Sequence, residues 1–260
     1  MPFRAALTHP VAGVLLLAQA MQLEMVRVPA GSYTPLYTNA STREVRVEAF
    51  RIDQRKVTRG EFLTFVRKHP GWRRDSVRAV FADDRYLSDW PGPLDPGDTA
   101  ARNRPVTSVS WFAARAYCAA AGKRLPTIDE WEYAASAGET QRDATRDAAF
   151  TQRILDLYTA RAAVAEGTAQ RGIGNVYGVR DLHASAWEWT EDFNSIMASG
   201  DSRQTGGTSK HTDFRAVCAG AAIGASNPDN FPAFMRYAFR AALNGRSSVD
   251  ALGFRCAAGA

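Results

Sequence analysis

The stretch GVRDLHASAWEWTEDF, Gly178 to Phe193, carries the reading of this chain. Trp187 and Trp189 flank Glu188, and in extended backbone that spacing puts both indoles on one face and the carboxylate on the other. Two indoles so close together bury a large apolar area, and each N–H needs a partner. Two readings of Glu188 follow. It is either the solvated outer position of a core strand, or it points into a polar pocket or metal site beside the core. Periodicity does not separate them.

Outward from this stretch, the composition is that of a globular chain. Its 260 residues are 45% hydrophobic and 23% charged, enough to bury a sizeable core. The formal charge of +5 is spread out, with no run of Lys or Arg longer than two. A nucleic-acid footprint is therefore not expected. Arg4, the apolar run Val11 to Leu17, and Ala18-Gln19-Ala20 form the pattern of a secretory signal. The expected division is a signal peptide over 1–20 and one domain over 21–260, and the expected destination is the periplasm or the outside of the cell as a secreted protein. Without Arg4 the mature charge is +5 − 1 = +4. The apolar run is too short to span a bilayer, so no membrane span remains once the signal is removed.

Glu24 to Val28 and Val45 to Ile52 alternate as strands. Thr58-Arg59-Gly60-Glu61 and Thr127-Ile128-Asp129-Glu130 each fit a capping box opening a helix. Ser108 or Ser110 caps a third helix, with Trp111, Phe112, Ala114, Tyr117 and Cys118 on its apolar stripe and an end at Gly122. Residues 70–104 hold Trp72, Trp90 and four prolines without a period, too long a loop to lie idle. Phe150, Ile154, Leu155 and Tyr158 mark an inserted surface helix. Residues 199–212 read as a polar, mobile loop. Export permits disulfides, but Cys118, Cys218 and Cys256 allow one bridge at most. Cys218–Cys256 is the expected pair, with Cys118 on a helix face.

Five co-linear stretches then resemble the formylglycine-generating enzyme, or sulfatase-modifying factor, family. They are MVRVPAGSY (25–33), FRIDQRKVTRGEF (50–62), RPVTSVSWFAARAYCAAAGKRLPTIDEWEYAA (104–135), NVYGVRDLHASAWEWTEDF (175–193) and LGFRCA (252–257). The fold class this resemblance implies is α+β: a single formylglycine-generating-enzyme-type domain related to the C-type lectin fold, with much irregular backbone.

The family's activity is oxidation of a client cysteine by copper held between two cysteines. Counting back from Leu252-Gly253-Phe254, their positions fall in Asn227 to Pro232, which holds no cysteine. Two thiolates are what Cu(I) prefers, so copper is not expected. Cys218 and Glu188 are the catalytic candidates. The mature chain's histidines, His69, His183 and His211, include no pair at metal-ligand spacing. Family members also bind calcium through an asparagine before the Trp-Glu-Trp and through its glutamate. Here Ala184-Ser185-Ala186 precedes, so Glu188 and Ser185 make a depleted oxygen set, and calcium is the one cofactor left open.

Trp187, Trp189, Arg236, Arg240 and Arg255 are the candidate ligand-binding residues. Met235 to Arg240 reads as a strand with both arginines on one face, and Asp181, Glu188 and Asp192 are the expected partners of the buried guanidinium groups. The stretches 141–163 and 181–194 and the C-terminal end further resemble exported accessory proteins encoded beside copper nitrite reductases. The implied function is an accessory, maturation or client-binding factor for a periplasmic metalloenzyme. A metal-dependent oxidoreductase with a relocated site and a lectin-like binding module are the alternatives.

Overall fold

The computed structural model describes residues 23–37, 44–163, 172–184, 186–194 and 230–260. The signal segment, Ser185, the 199–212 loop, His211, Cys218 and Asn227 to Asp229 lie outside them.

Strands β1 (Met25–Val28), β2 (Gly31–Tyr33), β3 (Val45–Val47) and β4 (Phe50–Asp53) come first in the chain. The Val45–Ile52 run is therefore not one strand. It divides between two sheets, β3 pairing with β2 and β4 pairing antiparallel with β1 and with the C-terminal β7 (Ala257–Gly259). Each half finds its backbone partners elsewhere, and the chain turns at Glu48-Ala49 to reach them.

Both capping boxes form. Thr58 opens α1 (Arg59–Lys68) and Thr127 opens α4 (Ile128–Ala135), each side chain accepting from the third helical amide while the glutamate accepts from the cap's own N–H. Of the two candidate serines, Ser110 caps α3 (Trp111–Ala120), accepting from the Ala113 amide at 3.2 Å. Ser108 has φ +55°, left-handed backbone that leads into the cap. Phe62, Phe65 and Val66 of α1 and Tyr117 and Cys118 of α3 meet in the larger core. The 70–104 segment, with a 3₁₀ turn at Pro70–Trp72 and the short α2 (Thr99–Arg102), lays Tyr86, Leu87 and Trp90 over that core. Its length is explained by what it covers.

Helix α5 (Ala148–Ala163) buries Ile154 and Tyr158 one turn apart. Residues 235–240 are not a strand. They belong to α6 (Phe231–Ala241), capped by Asn230 with Pro232 in its first turn. Pro232, Ala233, Arg236, Tyr237 and Arg240 form its buried stripe at helical spacing. The arginines share a face, as they would four apart in a strand, but the period is 3.6.

The Trp-Glu-Trp stretch becomes β5 (Trp187–Glu188), parallel to β6 (Leu252–Gly253), with Glu188 opposite Gly253. Gly253 is required there: a Cβ on it would lie 2.5 Å from the Val106 carbonyl oxygen. Close approach at this point seats Glu188 in the middle of the molecule.

Cys256, just before β7, is bonded to Cys118 of α3, with Cα atoms 5.6 Å apart. This corrects the Cys218–Cys256 pairing. The buried stripe of α3 faces the strand that follows Phe254, so the helical cysteine is the near one.

Candidate functional site

Trp187 and Trp189 both pack on the larger core, as their spacing requires. The Trp189 indole is 0% exposed and donates to the Val109 carbonyl at 2.9 Å. Trp187 stacks on Phe239 and tilts against Tyr158, with ring centroids 5.0 and 4.8 Å away. Glu188 faces the other way and is not solvated: it is 4% exposed.

Its surroundings are cationic. Arg255 grips the carboxylate in a fork, Nε to Oε2 at 2.7 Å and Nη2 to Oε1 at 2.9 Å. The remaining guanidinium donors go to the carbonyls of Asp53, Gln54 and Arg180. Every N–H of Arg255 is thus engaged inside the protein, and none is left over for a ligand. Lys56, fully buried, places its ammonium 3.0 Å from Glu188 Oε1. The Trp131 indole N–H donates to Oε2 at 3.1 Å.

Trp131 links this cluster to a second one. Arg236 and Arg240 lie over its ring, their guanidinium carbons 5.4 and 5.0 Å from the centroid. Both pair with Glu132, each at 2.6 Å, and Arg236 also donates to the Tyr158 hydroxyl. Of the three expected partners, Glu188 does take a buried arginine, Arg255, together with Lys56. The correction concerns Arg236 and Arg240, which both go to Glu132. Asp192 instead accepts from the Ile128 amide at the α4 N-terminus at 2.7 Å, and Asp181 from the Gly172 amide at 2.9 Å. Glu132 and Lys56 are the residues that sequence reasoning missed. The signal was present: Glu132 follows Ile128 by four, on the inward stripe with Trp131 and Ala135. Lys56 lies beyond the end of β4, where burial no longer alternates, and carried no such signal.

Beside the second cluster, the space bounded by Tyr33, Glu132, His183, Asn230 and Arg236 is about 20 Å³. That admits a water molecule and no substrate. Among the described residues no group of three His, Cys, Asp or Glu is placed to hold a metal ion.

The electrostatics make the clusters acid-sensitive. Although burial opposes it, Arg255 and Lys56 hold the Glu188 carboxyl down at about 2, and Arg236 and Arg240 do the same for Glu132, also about 2. Burial first, then the nearby Arg236, pushes the His183 imidazole down to about 3. In the unfolded chain the glutamates take up protons near 4.5 and the histidine near 6.5. At these three groups the unfolded state therefore binds more protons throughout this range, and their contribution to stability falls as the pH falls. Loss should begin below about pH 6.5 and steepen between about 4.5 and 2, on the order of 3 kcal/mol for each glutamate. Urea titrations at a series of pH values read this directly. A midpoint unchanged between pH 7 and 4 contradicts it.

Arg236→Ala should cost about 3 kcal/mol. Arg240 stays behind to neutralise Glu132, which places the effect at the low end for a broken buried pair. The thermal midpoint of the variant measures it, and an unchanged midpoint would free Arg236 for a ligand.

Residues 16–260 match the FGE-sulfatase model, the sulfatase-modifying factor enzyme 1-like domain. The chain belongs to this family. It is 30% identical to the inactive C-alpha-formylglycine-generating enzyme 2 of Bos taurus, over 94% of this chain and 91% of that one. It is also 30% identical to the formylglycine-generating enzyme of Streptomyces coelicolor, over 88% and 82% of the two chains. Among solved structures, PvdO from Pseudomonas aeruginosa matches with a TM-score of 0.49 at 18% identity, over 92% of this chain and 95% of that one.

The metals that this family implies do not fit the side chains present. Copper needs two thiolates, but Cys118 and Cys256 are joined as a disulfide, and Asn230 to Pro232 supply no sulfur. Calcium needs carboxylate oxygens free to coordinate, whereas both oxygens of Glu188 already accept from Arg255, Lys56 and Trp131. No helix among the described residues is long and apolar enough to cross a membrane.

Proposed function

We propose that this chain is an exported accessory or maturation factor that keeps the sulfatase-modifying factor fold without its oxidase centre. Its client on this reading is a periplasmic metalloenzyme, a copper nitrite reductase by the resemblance of 141–163, 181–194 and the C-terminal stretch. The observation that carries the reading is the Cys118–Cys256 bond, which withdraws two of the three thiols and leaves Cys218 without a second thiolate in the chain to share copper. Two further points support it. The fully engaged Arg255 and Glu188 act as internal scaffolding, and a disulfide between cysteines 138 residues apart suits an oxidising compartment. The similarity to a relative named as inactive accords with a fold retained after the chemistry is lost.

Copper-loaded mature protein incubated with a sulfatase peptide should leave the target cysteine unmodified by mass spectrometry. An aldehyde that depends on Cys218 would make the chain an oxidase with a relocated site. For the client, the mature chain mixed with copper-free nitrite reductase should form a complex on gel filtration and speed copper incorporation. No complex and unchanged incorporation reject the accessory role.

A further inference from the structure

Lys56 is an unusual residue to bury completely, and its ammonium has an unusual set of neighbours. It donates to the backbone carbonyls of Asp181 and Ala184 and lies 3.0 Å from Glu188 Oε1. Three hard oxygens from one eight-residue segment thus converge on a single cation. Asp181 is held in left-handed backbone, φ +55°, as the carbonyl is turned inward. Its own carboxylate is buried, its charge acts on the Lys56 ammonium, and its Oδ1 has no hydrogen-bond partner among the described residues. Two carbonyls, one carboxylate engaged and a second nearby are the donor types of an oxygen site for a divalent ion. The difference is that a side chain of the protein fills it.

We propose that the Lys56 ammonium is a built-in cation that occupies the oxygen nest formed by Asp181, Ala184 and Glu188 in place of calcium, and that removing it uncovers a calcium site. The charges balance on this assignment. Asp181 and Glu188 carry two negative charges, and Lys56 and Arg255 two positive ones. Taking away Lys56 leaves one uncompensated negative charge and two inward carbonyls in a buried space, and Arg255 and Trp131 still hold Glu188, so the free carboxylate oxygen for a hard cation is Asp181 Oδ1. Burial pushes the Lys56 ammonium down to about 8, so it still carries its charge at neutral pH. Calcium suits the uncovered nest better than magnesium, which demands shorter, near-octahedral contacts and keeps its waters. This inference is independent of the client and of any accessory role.

Thermal melting of the full mature chain, with chelator or with millimolar calcium or magnesium, tests it. The wild type should shift by no more than about 1 °C in any of them. Lys56→Ala should melt lower, and calcium but not magnesium should raise its midpoint by roughly 5 °C. If Lys56→Ala does not fold without calcium, Lys56→Gln, which keeps the stem and a neutral head, takes the same readout. A calcium-dependent midpoint in the wild type that Asp181→Asn abolishes overturns the proposal. So does the absence of a calcium response in both Lys56 variants, including their failure to fold with calcium present.

Discussion

Replacing Glu188 with alanine is expected to lower stability by on the order of 5 kcal/mol, at the upper end for a broken buried ion pair. The reason is the number of groups it strands. Arg255 loses both carboxylate contacts, Lys56 its only carboxylate partner within hydrogen-bond distance among the described residues, and the Trp131 N–H its acceptor. Two buried cations then lose the one carboxylate that both of them contact. Since a domain's whole stability is about 5–15 kcal/mol, the variant should be largely unfolded at modest urea concentrations. Glu188→Gln, which keeps the shape and removes the charge, should fall between the two. Urea midpoints of the three proteins measure the effect. A variant within about 1 kcal/mol of the wild type would mean that the cluster is not the buried network described.

Breaking the Cys118–Cys256 bond is the second large change. The two cysteines are 138 residues apart in sequence, and on the chain-entropy model cross-linking a loop of that length contributes on the order of 5 kcal/mol. Cys118→Ser and Cys256→Ser should each lose about that much, and reduction of the wild type should reproduce the loss. Cys218→Ser should not. Were Cys218→Ser as destabilising as Cys256→Ser, the pairing would be Cys218–Cys256 after all. Peptide mapping under non-reducing conditions gives the same answer chemically.

These two results divide along the line between local and non-local information. The capping boxes at Thr58 and Thr127 were legible because a cap is made by residues three apart, and its hydrogen bonds follow from spacing alone. The opposed faces of Trp187, Glu188 and Trp189 were legible for the same kind of reason, from the two-residue period of extended backbone. So was the family, from five stretches in a fixed order.

Other features were not local. The aromatic alternation of 234–239 suggested a strand, but α6 forms because Asn230 caps it and because Arg236 and Arg240 meet Glu132, more than a hundred residues away. Val45 to Ile52 reads as one alternating run but shifts phase at Ala49-Phe50, and its halves pair with different strands.

What the sequence determined by itself was therefore the class of fold, the helix starts, the face on which Glu188 lies and the absence of a cysteine from 227–232. Only the tertiary structure decided which cation each buried acid meets, which cysteine Cys256 reaches and what fills the oxygen nest before Trp187. The physical reason is range. Periodicity and capping act over one turn or one pleat, whereas a buried charge must be neutralised by whatever group the fold brings within about 3 Å, and sequence distance places no limit on where that group comes from.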